Sequence, residues 1–151
     1  MAKTKVYNPI AEALRQTIEG DDFSSPKAMV SRMKAEDASR EVPGAPYDIA
    51  TQVLHADFWN RIWLARLRGE KRPNMLKDWR VPSPEEWDDI RSAFFKNLDA
   101  ARAIAEAEPF THSMKSDESA KNTLLAISVH TAYHLGQIYL LKRMMKKTDQ
   151  K

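Results

Sequence analysis

Leu124-Leu125-Ala126-Ile127-Ser128-Val129-His130-Thr131-Ala132-Tyr133-His134-Leu135-Gly136-Gln137-Ile138-Tyr139-Leu140-Leu141 reads as one long helix. Its apolar residues at Leu124, Ile127, Ala132, Leu135, Ile138 and Leu141, continued by Met145, recur at the helical repeat. Ser116-Asp117-Glu118 offers a start, and the helix is expected to reach Lys146 or Lys147. The cluster Lys142, Arg143, Lys146, Lys147 and Lys151 then lies at the negative end of the helix dipole, where cations are favoured.

Three further helices precede it. Ser83-Pro84-Glu85-Glu86 combines an N-cap serine, proline at the first helical position and glutamate at the third, and predicts a helix from Pro84 to about Glu106. Its stripe is Trp87, Ile90, Phe94, Leu98, Ala101 and Ala105. From Tyr47 to Leu67 apolar residues recur at Ile49, Val53, Ala56, Trp59, Ile62, Trp63 and Leu67, with the stem of Arg66 on the same side. Gly69 and Pro73 stop that helix. The first runs from about Pro9 to Glu19, closed by Gly20-Asp21-Asp22. Residues 21–45 are the least readable: Ser25-Pro26 can cap a short helix through Met33, whereas Lys34 to Glu41 is too polar to place.

No alternating β-branched run and no internal repeat is visible, so the expected fold is all-α. Four helices with one apolar stripe each most simply share a core as a four-helix bundle, with a long crossover between helices one and two. At 151 residues, 42% hydrophobic and 30% charged, a single domain over residues 1–151 is expected. Without a membrane-length apolar run, and with no apolar stretch after Met1-Ala2-Lys3-Thr4-Lys5, the reading is a cytoplasmic protein. A net charge of only +3 and the lack of a basic face argue against a nucleic-acid partner. The absence of cysteine excludes disulfides and thiolate ligands and leaves any thiol chemistry to an external thiol.

Of four histidines, His130 and His134 stand at i and i+4, which puts both imidazoles on one helix face, able to converge on one ion. Random placement gives such a pair roughly 8% of the time, so spacing needs support. The support is an apolar setting, in which two imidazoles need partners, and His55 on helix two beside Trp59 and Trp63. With helices two and four as neighbours, three imidazoles can meet around one divalent cation and leave positions open for water or substrate. The other reading of His55 is a core histidine bonded to a backbone carbonyl. His112 lies in a loop, exposed or stabilising it.

His-Thr-Ala-Tyr-His lacks the glutamate of a zincin, which excludes that protease class. Asp48, two turns before His55, is the more plausible carboxylate behind an imidazole; Asp57 points to another face, and both are otherwise solvated helix carboxylates. Trp59 and Trp63 can wall a substrate pocket or belong to a plain core, and Tyr133 can donate its hydroxyl to a ligand or fill the core. Gly136 suggests a close helix approach, with Gln137 bonding across it or facing solvent.

Val129-His130-Thr131-Ala132-Tyr133-His134-Leu135-Gly136-Gln137-Ile138 resembles the signature of the DinB-like superfamily of four-helix-bundle proteins, in which two histidines separated by three residues and a Gly-Gln-Ile sequence mark the last helix. Val53-Leu54-His55-Ala56-Asp57 with Trp59 is similar to the surroundings of the helix-two histidine that completes that family's metal site. Ser83-Pro84-Glu85-Glu86-Trp87 resembles the opening of its third helix. The resemblance spans most of the chain outside Asp21 to Ala45 and the basic tail. It implies a site at His55, His130 and His134 for nickel, zinc or a similar divalent ion, usually in a homodimer. The family includes thiol-dependent S-transferases and isomerases that use bacillithiol or mycothiol, damage-inducible proteins, and members called metal-dependent hydrolases.

The resulting expectation is a metal-dependent transferase or hydrolase in which the cation activates a low-molecular-weight thiol or water toward a small-molecule electrophile beside Trp59 and Tyr133. The alternative is a non-catalytic, metal-stabilised stress-response bundle that acts by dimerising or through a partner.

Overall fold

The computed structural model describes residues 6–75 and 77–150. It contains six α-helices: α1 (Pro9–Glu19), α2 (Pro26–Ser31), α3 (Ala35–Ala38), α4 (Ile49–Arg68), α5 (Trp87–Glu106) and α6 (Asp117–Thr148). Among the described residues there is no strand, so the all-α expectation holds. Met1–Lys5 and Lys151, read above for a leader and for the basic cluster, lie outside the described residues. No helix is long and apolar enough to cross a membrane among the residues described.

Side-chain caps and glycine stops bound the helices. Asn8 accepts from the Ala11 N–H at 3.1 Å and Pro9 opens α1. Asp48 accepts from the Thr51 N–H at 2.7 Å and opens α4. Glu86 accepts from the Ser83 N–H at 2.8 Å in a reciprocal capping box, although the first turn, Pro84–Glu86, is 3₁₀ and the α-helix begins at Trp87. Gly69 closes α4 at φ 66°, and a Cβ there would stand 2.7 Å from the Ser113 Cβ, so both conformation and contact demand glycine. The unreadable stretch contains α2 and the four-residue α3, in which Lys34 supplies no capping side chain. Trp87 fixes this stretch by donating its indole N–H to the Met33 carbonyl at 2.9 Å.

α4 packs against both α5 and α6, and α1 packs against α5 and α6. The shared core contains Leu14, Ile18, Val53, Phe94, Leu98, Leu124, Ile127 and Ile138, each essentially inaccessible. Burying one such side chain is worth about 1.5–3 kcal/mol. Polar pairs cross the same core: Thr17 Oγ1 and Ser128 Oγ lie 3.0 Å apart between α1 and α6, and Asn60 donates to Thr131 at 3.3 Å between α4 and α6. The α4–α6 contact sets the histidine side chains of the two helices against each other.

Two expectations fail here. Arg66 is exposed and does not belong to the α4 stripe. Gly136 marks no close approach within the chain, because nothing lies within 4 Å of the position its Cβ would take.

Candidate metal centre

α4 contributes His55 and α6 contributes His130 and His134, one turn apart. One ring nitrogen from each lies within 4.8 Å of the other two. His130 Nε2 and His134 Nε2 are 3.2 Å apart. The ring centroids of His55 stand 5.4 Å from His130 and 4.7 Å from His134. His55 and His134 are buried and His130 is half-buried.

The outer nitrogens are held unequally. His55 Nδ1 lies 2.5 Å from Asp78 Oδ1, which makes Nδ1 the donor and leaves Nε2 bare toward the other imidazoles. His134 Nδ1 lies 2.7 Å from Gln52 Oε1, and Gln52 in turn donates to Gln137 Oε1 at 2.7 Å. His134 therefore also carries its proton on Nδ1 and presents Nε2 as a lone pair. His130 Nδ1 is buried without a hydrogen-bond partner. Burial, and then the neighbouring imidazoles, lower the pKa of His134 to about 4, and the same causes lower that of His130. Both are neutral at pH 7, as nitrogen ligands must be. Imidazoles converging on one point, one of them with no outer bond, form a donor set that a shared divalent cation satisfies.

An irregular segment covers His55. Asp78 accepts from the Trp59 indole at 3.2 Å and from the Trp79 N–H at 2.9 Å, in addition to His55. Trp79 stacks on His55 with centroids 3.6 Å apart, and Tyr47 stacks on the outer face of Trp79 at 4.3 Å. Trp79 has φ 59°, a left-handed conformation that costs a bulky residue of order 1–3 kcal/mol. Arg80 holds the segment down with a two-point pair to Glu86, at 2.6 and 3.0 Å. A pocket of about 170 Å³ opens beside His55, walled by Phe58, Met75 and Trp79, with Arg61 and Lys77 among its lining residues.

Asp48 does not stand behind an imidazole: it is spent on the α4 N-terminus, and Asp78 takes that place. Asp57 is not solvated but 3% exposed, bonded to Asn97 at 2.8 Å, with its pKa raised by burial to about 6. Trp59 is half-buried and tied to Asp78; Trp63 meets His130 edge-on at 5.3 Å. Tyr133 does not fill the core: it is 66% exposed, with its ring edge-on to His134 at 5.1 Å. Gln137 does bond across the α4–α6 contact. His112 stabilises its loop, accepting from the Met114 N–H at 3.1 Å and meeting Asp117 at 2.9 Å.

The sequence reading missed Asp78, Trp79 and Gln52. Gln52 had a signal, since it precedes His55 by three residues and so shares its helix face. Asp78 and Trp79 had none in periodicity, lying between Gly69 and Ser83 where no repeat exists.

In comparisons with known proteins, the family model described as the DinB superfamily matches residues 27–138, which include His55, His130 and His134. No curated protein and no solved structure matches the chain.

Proposed function

The chain belongs to the DinB superfamily, and from that membership and its imidazole cluster we propose a divalent-metal-dependent enzyme whose metal is held by His55, His130 and His134. The observation that carries this reading is the convergence of three ring nitrogens within 4.8 Å. An all-nitrogen set suits zinc or nickel and does not suit magnesium or calcium, which take oxygen ligands. Such a cation lowers the pKa of a thiol or water and so supplies a nucleophile at neutral pH.

The chain's own residues do the rest. Asp78 orients His55, and Gln52, anchored by Gln137, orients His134. Trp79 stacks over His55 and, with Phe58 and Met75, walls the space for a small-molecule electrophile, while Trp59 holds Asp78 through its indole N–H. Both Asp78 oxygens are occupied by donors, and the ligand cluster contains no carboxylate among the described residues. That favours a thiol, which a metal deprotonates outright, over water, which profits from a general base. With no cysteine in the chain the thiol is external, such as bacillithiol or mycothiol, and the reaction is S-transfer. In this reading α1, α4, α5 and α6 form a four-helix bundle with residues 20–48 as the long crossover, and the protein works as a homodimer.

The test loads the protein with zinc or nickel and follows consumption of bacillithiol, mycothiol and glutathione with a generic electrophile. Turnover with one thiol, lost in His55→Ala, is the expected result. A loaded protein that consumes none of them but hydrolyses ester or amide substrates overturns thiol transfer in favour of water activation.

A further inference from the structure

The sequence shows no basic helix face, yet its positive charge is not spread evenly. Residues 61–80 hold seven lysines and arginines against Glu70 and Asp78, a net +5 in a chain whose total is +3. Most of these cations are exposed along the end of α4 and the irregular segment after it, where charge is ordinary. Arg61 and Lys77 differ in position. One from α4 and one from the irregular segment, they line the pocket beside His55.

Nothing in the described chain neutralises that pair. Arg80, the third cation of the lining, is spent on Glu86. Asp78, the one carboxylate among the described lining residues, already accepts from His55, from the Trp59 indole and from the Trp79 N–H. Asp57, one turn before Arg61, is turned into the core and bonded to Asn97. Neither Arg61 nor Lys77 forms an ion pair with any described residue. Phe58, Met75 and Trp79 wall the same space, and cations in an apolar-walled cleft attract an anion more strongly than cations on an open surface.

The size of the pocket limits what enters. At about 170 Å³ it is close to a cavity of roughly 150 Å³ that takes up benzene, so it holds one fragment of a molecule. The Arg61 guanidinium can offer a carboxylate two parallel N–H donors, Lys77 adds a point charge, and the Asn74 amide adds a further donor. His55 belongs both to this lining and to the histidine cluster, so a fragment seated here stands one imidazole away from the point where the ring nitrogens converge.

We propose that this pocket is an anion subsite, in which Arg61 and Lys77 bind a carboxylate of the substrate while the ring or short chain that carries it lies against Phe58 and Met75. The inference rests on the preceding reading for there being a substrate, but the charge of the pocket depends on neither metal nor turnover. It narrows the substrate class from any small molecule to an organic anion. Either the electrophile or the external thiol can supply the carboxylate.

The binding test uses the full chain with a chelator at pH 8, with benzoate and benzamide as probes of equal size and unequal charge, followed by ligand-observed NMR. Benzoate is expected to bind at least about tenfold more tightly than benzamide, and Arg61→Gln and Lys77→Gln are each expected to weaken it about tenfold. High salt should shrink the difference. Both side chains are exposed, so the helical signal of the variants should match that of the native chain. Equal affinity for the two probes, no binding of either at millimolar concentration, or a preference for benzoate that survives the double variant overturns the subsite. The metal-loaded chain then locates the carboxylate, by kcat/KM for a chlorodinitrobenzoate against its benzamide and for mercaptopropionate against mercaptoethanol, each corrected for the uncatalysed rate. A preference for the charged member of the first pair puts the carboxylate on the electrophile, and of the second pair on the thiol. Either preference should collapse in Arg61→Gln. Turnover indifferent to charge in both pairs overturns the subsite and leaves the metal enzyme standing. A loaded chain that selects benzoate but turns over nothing overturns the enzyme and leaves the anion pocket standing.

Discussion

Asp57 is a carboxylate placed where charge is expensive, and replacing it by asparagine should stabilise the protein in a pH-dependent way. The side chain is 3% exposed and accepts one hydrogen bond, from Asn97 at 2.8 Å; Arg61, one turn on, is too exposed to offset the burial. Burial raises its pKa from 3.8 to about 6. Because the folded-state value lies above the unfolded one, the folded state holds the proton more tightly, and stability is lost as pH rises from about 4 to about 6. Above that window the charged form is penalised by the whole shift, and at roughly 1.4 kcal/mol per pKa unit the penalty is about 3 kcal/mol. An asparagine side chain is nearly isosteric with aspartate, keeps an oxygen for Asn97 and carries no charge. Asp57→Asn should therefore exceed the native chain by about 3 kcal/mol at pH 8 and by almost nothing at pH 4. Urea unfolding of both chains at the two pH values, with a chelator present throughout, measures the difference. An Asp57→Asn variant no more stable than the native chain at pH 8, or equally stabilised at both pH values, refutes the reasoning.

Other perturbations address the centre and its supports. Asp78→Asn removes the charge behind His55 and turns an amide toward the Trp59 indole; zinc affinity by chelator competition should fall about 10–100-fold while the helical signal stays. Unchanged affinity would show that Asp78 does not support the ligand. Gly69→Ala forces a Cβ into Ser113 at a positive φ and should cost more than about 1 kcal/mol in denaturant unfolding, against near-zero cost if the turn adapts. Saturating zinc at about 100 times its dissociation constant should stabilise the native chain by roughly 2.7 kcal/mol, an effect absent in a chain that binds the folded and unfolded states alike.

Much of this was legible because helices announce themselves twice, by period and by punctuation. Pro9, Ser83-Pro84 and Ser116 gave starts that the structure reproduces, with Gly20 and Gly69 as stops. The i, i+4 histidines were legible because one helix turn fixes their proximity. His55 needed the further step that α4 and α6 are neighbours. What failed in reading α4 was the assumption of one buried stripe. The helix packs against α5 and α6 together, so Gln52, Asp57 and Asn60 are buried on flanks that a single-stripe reading assigns to water. Of the two readings of Tyr133, the core one fails, because the side chain stands exposed on α6 among the described residues. Asp78 and Trp79 are positioned by tertiary contacts with His55, Trp59 and Tyr47, which no local pattern encodes.

The central claim is that three imidazoles form one metal site, and elemental analysis of protein purified without an affinity tag tests it most directly, beside the His134→Ala variant. The expected result is one zinc or nickel ion per native chain and its loss in His134→Ala, with the α-helical signal of both proteins intact. A native chain without metal even after reconstitution, or a His134→Ala chain that still binds a full equivalent, would contradict it.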